Sequence, residues 1–393
     1  MSTEVQQESK PTDRCPFDLE QGQRALLDSG VIGSYDLFGV KHWLLGSAED
    51  VKLVTNDPRF SSAAAAGIMP DERPGWFSGM DSPEHNRYRQ KIARDFTLRA
   101  ARKQEEIVVG LADTCLDDIE AAGPGTDLIP GYAKRLPSQV INDLYGLTEE
   151  EGAALEAKME AVVGATADNT DLEASARVLG EFFAHALSLV RAKRDQPGDR
   201  LLHRLAEAGD DEILLSEGEA TGVFAVLLLA GHGSVQQMVG YCLYALLAHP
   251  EQQAALRTNP DLIDGAVEEM LRFLPLNTLG IPRICVEDVE LHGQTIKAGD
   301  NVIPLYSSAN RDPGVFDEPD TFDITRKPEQ HLAFGHGIHK CPGQHLARLL
   351  IKVAVLRLFE RFPDVRLAGE VPMNEHHGQF GPVELRVTWG AAA

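Results

Sequence analysis

The chain has 393 residues, 43% hydrophobic and 25% charged, an ordinary composition for a globular protein with a sizeable core. Its 37 basic residues against 60 acidic ones leave a net charge of −23, which argues against nucleic acid or an anionic membrane as partner. Five scattered cysteines (Cys15, Cys115, Cys242, Cys285, Cys341) form neither a disulfide framework nor a paired zinc spacing, so a reducing cytoplasm is the simplest home.

Residues 1–20 read as a polar, flexible tail without the apolar core of a secretory signal. The first ninety residues mix short helices with β-like runs such as Ile32 to Val40. From Pro83 to about His249 the pattern is mostly helical. Val140, Ile141, Leu144 and Tyr145 form two pairs four apart, and Leu179, Phe183, Leu187 and Val190 recur at spacings of four, four and three. Ser216, with Glu219 three residues later, has the form of a capping box and opens a long helix through Leu247, closed by Pro250. The strongest apolar run in it, Val223 to Ala230, is too short to span a bilayer. A second helix is expected from Pro260 to Phe273.

Then come β signals: Ile284 to Leu291, a His292-Gly293 turn, Thr295-Ile296, and Val302 to Tyr306. A Pro-rich stretch, Asp312 to Pro328, precedes a last amphipathic helix from Gln344 to Phe362, and His376 to Gly381 reads as a turn between two strands. No repeat or linker divides the chain, so one domain over 1–393 is expected, mainly α with small β-sheets. Basic residues cluster at Arg94, Arg99, Arg102 and Lys103 and again at Arg348, Lys352 and Arg357. They are either solvated helix faces or a docking face for a small acidic electron carrier.

The most specific segment is Phe334-Gly335-His336-Gly337-Ile338-His339-Lys340-Cys341-Pro342-Gly343. It sets a cysteine at the start of a helix, where the dipole and unpaired N–H groups favour a thiolate. The glycines let the backbone approach a large flat object, as expected where a cysteine is the axial ligand of haem iron. Zinc binding by His336, His339 and Cys341 would lack a fourth ligand at matching spacing. No Cys-x-x-Cys-His occurs for covalent haem, and a reactive free thiol would leave the Phe-Gly-x-Gly unexplained.

These ten residues resemble the haem-binding loop of the cytochrome P450 family, with each defining position filled, Phe334, Gly335, His339, Cys341 and Gly343 among them. The resemblance implies the triangular-prism fold of that family, with haem b between the long central helix and the cysteine-loop helix and Cys341 as metal ligand. It implies a buried network of Glu269 and Arg272 with a second arginine. The family often places that arginine just before Phe322, where this chain has Thr321, and Arg326 is the nearest substitute. His85, Arg89, Arg283 and His339 match the family's ligands to the haem propionates, and Trp76 is placed to reach the porphyrin edge or to pack in its loop.

The family's proton-delivering acid and alcohol fall at Gly233 and Ser234, after His232. Glycine has no proton to give, so the route runs through water held by Ser234, through the substrate, or through His232 or Gln236 as relay. By resemblance, the segments from Ala63 to Met80, Val226 to Ser234 and Leu276 to Ile281, with the Gln379-Phe380-Gly381 turn, line the substrate pocket. Val226, Ala230, Asn277, Thr278, Gln379 and Phe380 are its candidate residues.

The implied protein is a soluble, monomeric bacterial member that takes electrons from ferredoxin and ferredoxin reductase and oxidises a small molecule of secondary metabolism with dioxygen. Both C–H hydroxylation and oxidative coupling are open, since some relatives with an atypical acid position couple aromatic cyclodipeptides. A non-catalytic haem protein, a sensor or ligand carrier, is the runner-up.

Overall fold

The computed structural model describes residues 3–4, 16–19, 21–30, 32–37, 40–65, 74–167, 172–196, 198–207, 214–276, 280–328, 330–374 and 381–390. Its helices are α1 (Gln21–Ser29), α2 (Ala48–Asn56), α3 (Ser62–Ala65), α4 (Glu84–Ile92), α5 (Leu98–Lys103), α6 (Glu105–Ala122), α7 (Arg135–Tyr145) and α8 (Glu149–Ala167). They continue with α9 (Leu172–Arg194), α10 (Leu201–Leu205), α11 (Glu217–Ala248), α12 (Pro250–Thr258), α13 (Ile263–Phe273), α14 (Tyr306–Ala309) and α15 (Gln344–Arg361). The strands are β1 (Thr3–Glu4), β2 (Gly33–Leu37), β3 (Val40–Leu45), β4 (Phe60–Ser61), β5 (Arg283–Cys285), β6 (Val289–Leu291), β7 (Gln294–Ile296) and β8 (Asn301–Pro304), then β9 (Arg366–Leu367), β10 (Met373–Asn374), β11 (Gly381–Pro382) and β12 (Val387–Thr388). Helices dominate and the sheets are small, as expected.

The helical layer is built on α11. Ser216 accepts from the Glu219 N–H while the Glu219 carboxylate accepts from the Ser216 N–H, so the expected capping box closes. The helix packs against α7, α9 and α15 and carries much of the main core. By length and composition α11 is apolar enough to cross a membrane, but 67% of its apolar window is buried inside the fold. Its hydropathy is that of a core helix enclosed on several sides.

Val140, Ile141, Leu144 and Tyr145 are all buried on α7, as their spacing predicts. On α9 the fully buried stripe is Phe182, Ala186, Leu189 and Val190, offset from the one the periodicity suggests. Phe183 instead faces a different neighbour, Trp76, with ring centroids 5.8 Å apart. Pro250 does end α11, but it also starts α12, because proline at a first helical position forfeits no intrahelical bond.

The largest sheet has the order β1-β2-β3-β8-β5-β4 and forms a second small core of Ile32, Leu45, Phe60, Cys285 and Val302 with their neighbours. The β6–β7 hairpin turns at His292 (φ 50°) and Gly293 (φ 73°), two consecutive positive values that match the twist of antiparallel strands. The sheet delivers Arg283 on β5 toward the site, while α13 and the irregular segment after α14 brace the cysteine loop.

Candidate functional site

The cysteine loop is held by its own backbone. Cys341 N–H donates to Phe334 O at 2.8 Å, and Gly335 N–H donates to Leu332 O at 2.8 Å. Gly337 has φ +71°, and a Cβ there would lie 2.1 Å from Thr55 O at the end of α2, so only glycine allows this approach. The sulfur sits before α15, and a Cβ on Gly343 would lie 3.8 Å from it. Burial pushes the thiol pKa up, and the N–H groups of Gly343 and Gln344 and the charges of Arg89 and Arg348 work against that rise. The N–H groups and the two cations are the features that would hold an anionic sulfur once it has a positive partner to offset its burial.

His85, Arg89 and Arg283 gather around His339 of the cysteine loop, and the charge of Arg89 acts on the sulfur. The rings of His85 and His339 are 4.5 Å apart, and His339 Nε2 is 3.0 Å from Ser62 Oγ. Burial, helped by the charges of Arg283, His85 and Arg89, pushes the His339 pKa down to about 3. Arg283 is 2% exposed and, among the described residues, its side chain donates only to the carbonyls of Ile281 (2.9 Å) and Pro282 (3.1 Å). Arg89 donates to the Lys340 carbonyl. Asp81, the nearby acid, is engaged by Ser61 Oγ and the Ser62 N–H.

His85 Nε2 is buried without a hydrogen-bond partner among the described residues. Cations drawn out of water without a counter-charge are costly, so this set fits a ligand carrying two carboxylates, as the propionates of haem would. Sequence motifs named all four residues. They did not show that Glu219 accepts from both Arg87 and Tyr88, tying α4 to the start of α11.

The expected acid–base network is also present. Arg272 forms a two-pronged pair with Glu269 at 2.7 and 2.8 Å, both side chains being fully buried, and it donates to the carbonyls of Asn310, Pro319 and Thr321. Arg326 approaches Glu269 at 3.4 Å as an ion pair and donates to the carbonyls of Asp317 and Glu318. It thus stands where the displaced arginine was sought. Arg311, which the sequence reading did not single out, is 1% exposed, lies 3.9 Å from the Phe273 ring centroid, and donates to Phe17 O and Phe273 O.

The opposite wall is α11. From Ala220 to Leu228 the helix is buried, yet Ala230 is exposed, and Cβ atoms built on Gly231 and Gly233 would meet nothing within 4 Å. Ser234 Oγ donates to Ala230 O at 2.7 Å, so the hydroxyl proton is held by its own helix. His232 departs from the grouping with Gly233 and Ser234. One residue along a helix turns a side chain by about 100°, and His232 is buried with Nε2 3.3 Å from Glu156 Oε1 and 2.9 Å from Gln236 Nε2. Gln236 donates in turn to Ser138 Oγ (2.8 Å) and Glu156 (3.2 Å), linking α11 to α7 and α8.

Of the pocket candidates, Val226 is packed in the core whereas Ala230 is open. Asn277, Thr278, Gln379 and Phe380 lie outside the described residues, as does the His376–Phe380 part of the expected turn. Trp76 packs on Phe183, the plainer of its two expectations. The segment before it presses on α11 backbone to backbone, since a Cβ on Gly222 would lie 1.9 Å from Pro74 O.

The two basic clusters differ. Arg348, Lys352 and Arg357 are paired with Glu268, Asp264 and Asp113, and Arg94 with Asp199. Arg99, Arg102 and Lys103 on α5 are exposed and have no acidic partner among the described residues. Helix α5 packs against α15, behind the cysteine.

Residues 166–382 match the family model described as "Cytochrome P450". Nocardicin C N-oxygenase of Nocardia uniformis subsp. tsuyamanensis is 40% identical over 363 residues, 90% of each chain. Mycinamicin IV hydroxylase/epoxidase of Micromonospora griseorubida is 35% identical over 361 residues, again 90% of each. The crystal structure of the LnmA cytochrome P450 hydroxylase, from the leinamycin biosynthetic pathway of Streptomyces atroolivaceus S-140, superposes with a TM-score of 0.88 at 34% identity, covering 98% of this chain and 100% of that one.

Proposed function

Because the chain belongs to the cytochrome P450 family, whose cofactor is a thiolate-ligated haem and whose members matched here are oxygenases, we propose that Cys341 is the iron ligand of a monooxygenase that hydroxylates a small natural product. The observation that carries this reading is the set of His85, Arg89, Arg283 and His339 near the Cys341 loop, with no ion-pair partner among the described residues and only Asp81, already hydrogen-bonded to Ser61 and Ser62, as a nearby acid. Bound haem supplies dioxygen activation, with electron donation from the thiolate favouring O–O cleavage.

The protein's own residues do the rest. The Gly343 and Gln344 N–H groups hold the sulfur, and the Glu269–Arg272–Arg326 network fixes the segment leading to it. The Arg89 and Arg283 cations, with N–H groups of His85 and His339, would orient the propionates. Over the opposite face, the open space at Gly233 takes water, and Ser234, whose proton is committed to Ala230 O, accepts from that water and holds it for proton delivery. His232 and Gln236 serve this route only through Glu156, whose side chain is 31% exposed and reaches solvent.

Electrons come from a ferredoxin-type carrier, fed by its reductase, that docks at Arg99, Arg102 and Lys103. The unbridged Cys115, Cys242 and Cys285 suit the cytoplasm.

Gly233 favours a second reading, oxidative coupling of aromatic, cyclodipeptide-like units, in which no oxygen is transferred. Ligands that shift the haem spectrum, aromatic cyclodipeptides and amines (the N-oxygenase relative motivates the latter) included, are turned over and the product weighed. A gain of one oxygen supports monooxygenation, and loss of two hydrogens on joining two units supports coupling. Absence of the thiolate-type spectrum of the ferrous–carbon monoxide form would refute Cys341 ligation.

A further inference from the structure

The geometry points to Glu268, Arg348 and His331 as a charge-balancing clamp that sets the electron donation of the Cys341 thiolate, with Glu268 acting as a positioning residue through Arg348. Glu268 is the residue before Glu269, but it serves a separate cluster. Its carboxylate receives Arg348 Nε at 2.6 Å and Arg348 Nη2 at 2.8 Å, one on each oxygen. His331 Nε2 lies 2.7 Å from the second oxygen. The Ala333 N–H donates to His331 Nδ1 at 3.2 Å, which assigns the imidazole proton to Nε2 and leaves the ring neutral and satisfied. The cluster is therefore one carboxylate against one guanidinium, with no net charge.

It is also attached to the cysteine loop. The Arg348 guanidinium carbon sits 4.5 Å from the Phe334 ring centroid, and the Phe334 carbonyl accepts from the Cys341 N–H. His331 is three residues before Phe334, with its side chain only 3% exposed. Arg348 is on the second turn of α15, the helix that begins just after the cysteine, and its charge acts on the sulfur.

An unbalanced Arg348 would draw electron density from the thiolate, and Glu268 cancels that pull. Burial alone would raise the Glu268 carboxyl, but hydrogen bonds from His331 and Arg348 hold its pKa at about 2, so the balancing charge persists across the working pH range. The family network of Glu269, Arg272 and Arg326 braces the loop from the other side of α13 and carries no such contact with Arg348 among the described residues.

The clamp rests on Cys341 being the iron ligand, and the test separates the two. Midpoint potentials of the haem-loaded Glu268→Gln, Arg348→Gln and double variants are measured together with the ferrous–carbon monoxide spectrum. Charge balance requires opposite signs. Glu268→Gln unmasks a positive charge and shifts the potential up, Arg348→Gln unmasks a negative one and shifts it down, each by about tenfold in the reduction equilibrium. The double variant returns near the parent.

If both single variants shift the same way while the thiolate-type spectrum persists, or if neither shifts, the clamp is merely structural and the inference fails. Should the parent lack that spectrum, the ligand assignment fails instead. For any variant that does not load haem, Glu268→Asp and Arg348→Lys, which keep the charges, replace it, and these must leave the potential near the parent for the inference to stand.

Discussion

The two walls of the site are built on opposite principles. Around Cys341 the acids are answered, Glu269 by Arg272 and Arg326 and Glu268 by Arg348 and His331, while Arg89 and Arg283 are left with backbone carbonyls and room for an anionic ligand. Across from it, α11 between Ala230 and Ser234 offers two glycines and one hydroxyl already bonded to its own helix. A cofactor wall must hold geometry through every turnover, so buried ion pairs suit it. On the proposed reading, a substrate wall of small side chains leaves room for water and ligand and would tune the reaction by what it omits.

The difference predicts large losses from one wall and modest, tunable effects from the other. Cys341→Ser removes the only thiol in the loop, and the expected outcome is loss of the thiolate-type spectrum and of turnover by a factor of about 10³ or more. Retention of either would mean that the iron is held elsewhere. Glu269→Gln leaves a fully buried Arg272 without its counter-ion, which typically costs about 3–5 kcal/mol. Denaturant unfolding should show it as a large drop in midpoint. A shift within error would mean that the backbone carbonyls of Asn310, Pro319 and Thr321 suffice to hold Arg272.

The cofactor wall was also the more legible one in the sequence. Cys341 and its glycines, the Glu269–Arg272 spacing and the His85–Arg89 pair are local patterns, each fixed by a turn or by helical periodicity. Arg326 follows only as the arginine nearest to Phe322, because the Pro-rich segment that contains it has no regular period to count along. Glu268 escaped notice because a carboxylate one position from a motif looks like any solvated helix acid until α15 is packed against it. On α11, spacing alone grouped His232 with Gly233 and Ser234. Only the packing of α7 and α8 shows that His232 turns toward Glu156. Arg311 and the Trp76–Phe183 contact depend likewise on segments far apart in the chain.

The bare wall can be altered without breaking the fold. Gly233→Glu adds an acid where nothing lies within 4 Å, and replacing a mid-helix glycine favours the helix by up to about 1 kcal/mol. Peroxide released per reductant consumed should fall severalfold, or about 1 kcal/mol in partitioning, and should rise by a similar amount in Ser234→Ala. Unchanged coupling in both variants would move proton delivery to the substrate or to the Glu156–His232 network.

The smallest effect lies where the two walls are tied together. Burial alone would raise the Glu219 carboxyl, but hydrogen bonds from Arg87, the Ser216 N–H and Tyr88 hold its pKa at about 2, below its ordinary value of 4.5. An unfolded chain takes up the proton near that ordinary value. The stabilisation is therefore complete above about pH 4.5 and is lost as the pH falls toward about 2. Arg87 is 42% exposed, so solvent screens the pair, and the net worth is nearer that of a helix cap, about 1 kcal/mol. Glu219→Gln should accordingly melt a few degrees below the parent at neutral pH, with the gap narrowing as both are acidified to about pH 3. A gap that stays constant with pH would mean that neither the cap nor the tie between α4 and α11 depends on the Glu219 charge.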